Sequence, residues 1–194
     1  AWIDDRDQPS AREVRVGVMG LGVLGLDAVD ALRRLRFDVA GWSRTPKAID
    51  GVPTYAGEEG LAPFLARTDI LVVLMPLTDD TRGIIDARLL KRLARDGRLG
   101  GPVLLNAGRG GLQVEADILA ALEAGTLKGA SLDVFQTEPL PEASPLWAHP
   151  GVMVTPHNSA MSHPEAIAAS IVGQIRELEA GRPLRNIVDR RRGY

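Results

Sequence analysis

The run Val14-Arg15-Val16-Gly17-Val18-Met19 passes directly into Gly20-Leu21-Gly22-Val23-Leu24-Gly25, and the stretch that follows places Leu24, Ala28, Leu32 and Leu35 at helical spacing. The first run is rich in β-branched residues and reads as a buried strand. The helical stretch ends among Arg33, Arg34 and Arg36, where cations favour the negative end of the helix dipole. A strand that turns straight into a helix through glycines is a strong constraint, because the helix must fold back over the sheet that the strand belongs to.

The same order recurs along the chain. Asp38 to Trp42 reads as a second strand, Glu58 to Arg67 as a short helix, and the all-apolar Ile70 to Met75 as a strand buried on both faces. Leu89 to Ala94, Pro102 to Asn106, Glu115 to Ala124 closed by Gly125, and Ala130 to Val134 continue the alternation. Such alternation predicts an α/β fold of Rossmann type, a doubly wound and mostly parallel sheet with helices on both faces. The four prolines between Gln136 and Pro150 exclude a helix or central strand there and predict a structured loop. A last helix is expected over 164–180, stopped by Gly181 and Pro183 and followed by a basic tail. With 194 residues one domain is expected, with 1–13 as a lead-in, 14–162 as the core, and 163–194 as a C-terminal helix and tail.

Composition removes several classes of function. A formal charge of −2 with mixed signs leaves no basic footprint for nucleic acid, and the chain has no cysteine for a disulfide, a thiolate metal site or a cysteine nucleophile. No metal site is expected. The longest apolar run, Ile70 to Pro76, falls far short of the ~20 residues that span a bilayer. The acidic start, Ala1 to Asp7, does not resemble an export signal. A soluble, cytoplasmic protein without membrane or nucleic-acid partners is therefore expected.

Gly20, Gly22 and Gly25, with Val23 and Leu24 between them, sit between a strand and a helix. That is where a dinucleotide pyrophosphate meets the amides of a helix N-terminus. In the NAD form of such a fold, an acid about 20 residues on holds the ribose hydroxyls. Here Trp42 is followed instead by Ser43, Arg44 and Thr45. A hydroxyl beside a guanidinium suits a 2′-phosphate, so NADP(H) is expected over NAD(H). An exposed basic loop is the plainer alternative.

Three later runs each end in a polar group: Leu104-Leu105-Asn106-Ala107-Gly108-Arg109, Ser131-Leu132-Asp133-Val134-Phe135 leading to Glu138, and Val152-Met153-Val154-Thr155-Pro156-His157. As strands of one parallel sheet they would deliver a guanidinium, a carboxylate and an imidazole to the same carboxyl edge. Hydride transfer to a 2-oxo acid needs such a set: a cation for the substrate carboxylate, an acid for the developing alkoxide, and a carboxylate beside that acid.

These segments, with Thr137-Glu138-Pro139-Leu140-Pro141 and Asn158-Ser159-Ala160, resemble the signatures of the D-isomer-specific 2-hydroxyacid dehydrogenases. Trp42-Ser43-Arg44-Thr45, Ser144-Pro145-Leu146-Trp147 and the terminal Val188-Asp189-Arg190 stretch resemble the glyoxylate/hydroxypyruvate reductase branch. The resemblance runs from Val14 onward. It implies that Arg109 binds the substrate carboxylate and carbonyl, that His157 is the general acid, and that Glu138 pairs with it. It implies Asp133 near the nicotinamide amide, although Asp133 reads equally as a strand-end residue. It adds Leu74, Pro76, Thr81, Asn106 and Ala107 to the cofactor lining. His149 and His163 match no catalytic position. The family also dimerises through the cofactor lobe, with Trp2 and Trp147 in segments resembling its contact regions.

The family has a substrate-side lobe that largely precedes the cofactor lobe. Only about a dozen residues precede the first strand here, so most of that lobe is expected to be missing, with the C-terminal helix packing back toward it. Such a chain would bind cofactor and turn over poorly alone. The alternative reading is a non-catalytic, dinucleotide-sensing regulatory module.

Overall fold

The computed structural model describes residues 8–185 together with 187 and 188. The chain divides into two compact units between Pro156 and His157, earlier than position 162, where the sequence ends the core.

Among the described residues the first unit is built on seven strands: β1 (Arg15–Met19), β2 (Asp38–Ser43), β3 (Thr54–Ala56), β4 (Ile70–Val73), β5 (Val103–Asn106), β6 (Gly129–Leu132) and β7 (Val152–Val154). They lie in the order β3-β2-β1-β4-β5-β6-β7, and every pairing is parallel. The expected Rossmann-type sheet is thus present, and it is wholly parallel. Its helices are α1 (Val23–Arg34), α2 (Gly57–Ala66), α3 (Ala87–Lys91) and α4 (Glu115–Glu123).

Alternate residues of the central strands feed two apolar clusters, which is why these strands read as continuous apolar runs. Val16, Val18, Val39 and Val72 pack with Val29 of α1. Met19, Ala40, Leu71 and Val73 pack with Phe64 and Leu65 of α2, Leu89 and Leu90 of α3, and Ile118 of α4. Each such leucine or phenylalanine removed from water contributes about 1.5–3 kcal/mol before entropy is counted.

Three local departures from the sequence reading have physical causes. The edge strand β3 was not expected: it has three residues, all half-buried, and owes its conformation to its register on β2, Gly41 against Thr54. The proline-rich loop contains a 3₁₀ turn at Pro145–Trp147, because the fixed φ of proline suits the first position of a helical turn and Pro145 occupies it. Helix α3 begins earlier than Leu89 because the Asp86 side chain caps it, accepting from the Leu89 amide at 2.8 Å.

The second unit contains α5 (Pro164–Glu179), which ends at Ala180 with Gly181 at a φ of +73°. Ile167, Ile171, Ile175 and Leu178 lie exposed along it. Most of the basic tail expected over 185–194 lies outside the described residues, as does Trp2. Among the described residues no helix is long and apolar enough to cross a membrane.

Candidate active site

The chain order reverses between β1 and β4, which lie side by side at the centre of the sheet. In open parallel sheets this switch point leaves a crevice at the carboxyl edge. The glycine turn fills the β1 side of it. Gly20 has a φ of +108°, which favours glycine, and a Cβ there would stand 2.9 Å from the Leu74 carbonyl carbon. A Cβ on Gly25 would stand 1.8 Å from the Gly20 oxygen, so only glycine lets α1 start this close to β1. Gly22 differs, since a Cβ there would meet no atom of the described residues within 4 Å.

Gly22 is also the N-cap of α1, so the N-cap residue offers no side-chain oxygen to that end, and no acid stands in the helix's first turn. Val23 and Leu24 are exposed beside it. A helix N-terminus whose N-cap is glycine offers amide donors and a positive dipole end, and the open space at Gly22 is where a side chain would obstruct an approaching anion. These features fit a dinucleotide pyrophosphate.

The end of β2 borders this turn. The Gly20 amide donates to the Trp42 carbonyl at 2.9 Å, and the buried Trp42 indole donates to the Gly57 carbonyl at 3.0 Å. Ser43 is buried, and its hydroxyl donates to the Thr45 carbonyl at 2.8 Å, shaping the turn. Arg44 and Thr45 are exposed on that turn. The Lys47 ammonium donates to the Leu21 carbonyl, so a cation unassigned by the sequence reading reaches the glycine turn itself.

On the β4 side, Leu74 is hydrogen-bonded to Met19 through its amide at 2.9 Å. Pro76 and Thr81 close one turn, with the Thr81 hydroxyl donating to the Pro76 carbonyl at 2.9 Å and accepting from the Thr78 amide at 2.8 Å. Ala107 continues from β5, its amide donating to Val73 at 3.2 Å.

Asn106 was expected among the cofactor-lining residues, but its side chain is fully buried and already engaged. Its Nδ2 donates to Gln113 Oε1 at 2.8 Å and to the Arg109 carbonyl at 3.3 Å, while its Oδ1 accepts from the Gly108 amide at 3.1 Å. The amide therefore shapes the turn that carries Arg109.

Arg109 itself is exposed, with Nη1 donating to the Gly108 carbonyl at 2.7 Å. Its neighbours explain the Gly-Arg-Gly spelling. A Cβ on Gly108 would lie 2.9 Å from the Met75 oxygen, and one on Gly110 would lie 1.8 Å from the Phe135 oxygen. The Arg109 turn is thereby pressed against the segment that carries Asp133 and Glu138.

Asp133 is buried just beyond β6 and accepts from the Thr155 hydroxyl at 2.5 Å. Glu138 is exposed and accepts from the Phe135 amide at 2.9 Å, which ties its carboxylate to the same loop. His157 opens the second unit, exposed and with a left-handed φ of 51°. His149 accepts from the Gly151 amide at 3.0 Å, and His163 is the N-cap of α5. The structure thus joins the turns of Arg109 and of Asp133 with Glu138, while His157 belongs to the other unit.

Nothing local in the sequence singles out Thr155 or Gln113. The available signal for Gln113 was a single amide between Leu112 and Val114, which says that something polar is buried without saying what it meets.

The wholly parallel sheet, its switch point and the glycine turn define a Rossmann-type dinucleotide-binding domain. Residues 1–159 match the sequence profile of the D-isomer specific 2-hydroxyacid dehydrogenase NAD binding domain. The chain belongs to the D-isomer specific 2-hydroxyacid dehydrogenase family.

Among its relatives, glyoxylate/hydroxypyruvate reductase A of Salmonella choleraesuis is 46% identical over 182 residues, covering 94% of this chain and 57% of the relative. The NADPH-dependent glyoxylate/hydroxypyruvate reductase of Sinorhizobium meliloti, solved with NADP and sulfate, is 52% identical with a TM-score of 0.96 over 100% of this chain and 60% of that one. A probable 2-hydroxyacid dehydrogenase of Rhizobium etli, solved with NADP, HEPES and L(+)-tartaric acid, is 53% identical with a TM-score of 0.92, covering 96% of this chain and 58% of that one. The chain therefore spans less than two thirds of the length of these relatives.

Proposed function

We propose that this chain is the cofactor-binding lobe of an NADPH-dependent reductase that converts a small 2-oxo acid, glyoxylate or hydroxypyruvate, to the 2-hydroxy acid. One observation carries this reading: the Gly108-Arg109-Gly110 turn is packed on Phe135, beside Glu138, at the same sheet edge as the glycine turn that starts α1. The names and bound NADP of the relatives support it.

When bound, the dinucleotide supplies a hydride to the substrate carbonyl carbon. The chain's own residues do the rest. The amides at the start of α1 hold the pyrophosphate, and Arg44, on the turn shaped by Ser43, takes the 2′-phosphate. Arg109 binds the substrate carboxylate and polarises the carbonyl oxygen. His157 gives a proton to that oxygen, and Glu138 pairs with the imidazole. Asp133, oriented by Thr155, holds the nicotinamide amide. A cytoplasmic location and a homodimer through this domain go with the reading. The exposed Trp147 is the described part of the surface that the family resemblance assigns to that contact.

Dissociation constants for NADPH and NADH on this chain test the cofactor, and tighter NADPH is expected. Glyoxylate reduction by the protein at its natural length, lost in His157→Ala, tests the reaction. Equal or tighter NADH binding overturns the 2′-phosphate assignment, and wild-type protein that binds NADPH without reducing glyoxylate or hydroxypyruvate overturns the reductase.

A further inference from the structure

Gln113 is wholly buried, and the proposed chemistry gives it no task. A buried glutamine is costly unless its amide is paired, and leucine would fill the same space without that requirement. Here the amide is paired with groups from two different segments of the site. Its Oε1 accepts from Asn106 Nδ2 at 2.8 Å, and its Nε2 donates to the Val134 carbonyl at 2.9 Å. The backbone is committed as well: the Gln113 amide donates to Gly110 at 3.1 Å, and its carbonyl accepts from Gln136 Nε2 at 3.0 Å.

The partners give these bonds their meaning. Asn106, held by Gln113, holds the Arg109 carbonyl and the Gly108 amide in turn. Val134 stands between Asp133 and Phe135, and Phe135 fixes the Glu138 carboxylate through its amide. The Gln113 side chain is thus a two-ended strut from the guanidinium-bearing turn to the carboxylate-bearing loop. Its donor and acceptor ends are different, so reversing it would set oxygen against oxygen at Val134.

We propose that Gln113 is a positioning residue for the reduction, setting the distance between Arg109 and the Asp133–Glu138 loop through its paired amide. The inference rests on the reductase reading above. The substrate carboxylate is to be bound on one side of the strut, and the nicotinamide amide and the imidazole partner on the other. A shift of the order of 1 Å between reacting groups can cost about 100-fold in rate, so a buried amide that fixes this distance is a determinant of activity although it touches no reactant.

Two variants test this. Gln113→Leu removes both bonds at nearly constant volume. In this chain, amide exchange at Gly108 is expected to accelerate about tenfold while NADPH affinity stays within about twofold, because the glycine turn rests on β1 and α1 rather than on the strut. In the protein at its natural length, kcat/KM for glyoxylate is expected to fall about tenfold or more, with KM carrying much of the loss. Gln113→Glu gives a readout that packing alone would not move. The protonated carboxyl can accept from Asn106 and donate to Val134, whereas the carboxylate can only accept. The ratio of variant to wild-type kcat/KM should therefore be near one at low pH and fall as the introduced carboxyl ionises, a transition that burial moves upward from the usual carboxylate range.

Unchanged Gly108 exchange in Gln113→Leu, or kcat/KM within twofold of wild type in that variant, overturns the proposal. So does a pH-independent ratio in Gln113→Glu. Wild-type protein that neither binds NADPH nor reduces glyoxylate overturns the reductase reading and this role with it. An active wild type with an equally active Gln113→Leu overturns this role alone.

Discussion

Gly110→Ala isolates the contact on which the proposed site depends. Gly110 has no left-handed φ, so alanine is conformationally acceptable there and the effect is purely steric. The added methyl would stand 1.8 Å from the Phe135 oxygen, 2.0 Å from its carbonyl carbon and 2.7 Å from the Gln136 nitrogen. All three are backbone atoms, so no rotamer change relieves the clash. Restoring van der Waals contact requires the two segments to part by roughly 1.5 Å. Arg109 is the adjacent residue and cannot stay in place, and a displacement of about 1 Å corresponds to about a 100-fold loss in kcat/KM, or about 2.7 kcal/mol of transition-state stabilisation. Overpacking of this kind also lowers stability by about 1–3 kcal/mol. The assay pairs steady-state glyoxylate reduction with NADPH titration and thermal unfolding on the same variant. NADPH affinity is expected to stay within about twofold, because the glycine turn is carried by β1 and α1. A folded variant whose kcat/KM lies within threefold of wild type would refute the claim that the contact with Phe135 places Arg109.

Gly22→Ala should behave in the opposite way: the methyl meets no atom of the described residues within 4 Å, so stability should change by at most about 1 kcal/mol while the NADPH dissociation constant rises about tenfold. Unchanged affinity in a titration would remove the pyrophosphate from that turn. Arg15 makes side-chain bonds of 3.0 and 2.7 Å to Asp69, which is buried, and Arg15→Met would remove the cation from that carboxylate while leaving it the Arg15 backbone amide at 2.9 Å; urea unfolding should show a loss of about 3 kcal/mol, and a loss under 1 kcal/mol would contradict this. Desolvation works to raise the Asp86 carboxyl, but the Leu89 amide and the Arg88 guanidinium outweigh it and hold it below its ordinary value. Its contribution to stability is therefore present above the unfolded-state pKa of about 3.9 and disappears as pH falls through the lower folded-state value. Asp86→Ala should cost about 1 kcal/mol at neutral pH and progressively less in acid, and a Tm difference from wild type that stayed constant with pH would count against it.

The glycine turn and the β1 and β4 strands were legible because each is determined locally. A β-branched run followed by three glycines and a helical stripe has few alternatives, and an all-apolar run needs no knowledge of its neighbours to be read as buried on both faces. The Gly-Arg-Gly spelling around Arg109 was visible as a family signature, although not its cause. The causes are the Met75 backbone at Gly108 and the Phe135 backbone at Gly110, the latter 25 positions further along the chain, and no pattern in the sequence reports such approaches.

Asn106 shows the limit from the other side. Its residue type and its place at a strand end suit cofactor contact, yet in three dimensions its amide is spent on Gln113, Arg109 and Gly108. Strand β3 was illegible for a related reason, since three half-buried residues become a strand only when β2 offers them an edge. The sequence by itself thus determined the alternation of the longer strands and helices, the glycine turn and the chemical types available at the sheet edge, because periodicity, turn chemistry and residue type are local properties. Only the tertiary structure decided which polar groups face the crevice and which are consumed in holding it together, because a hydrogen bond is allotted by distances between segments that the chain order leaves free.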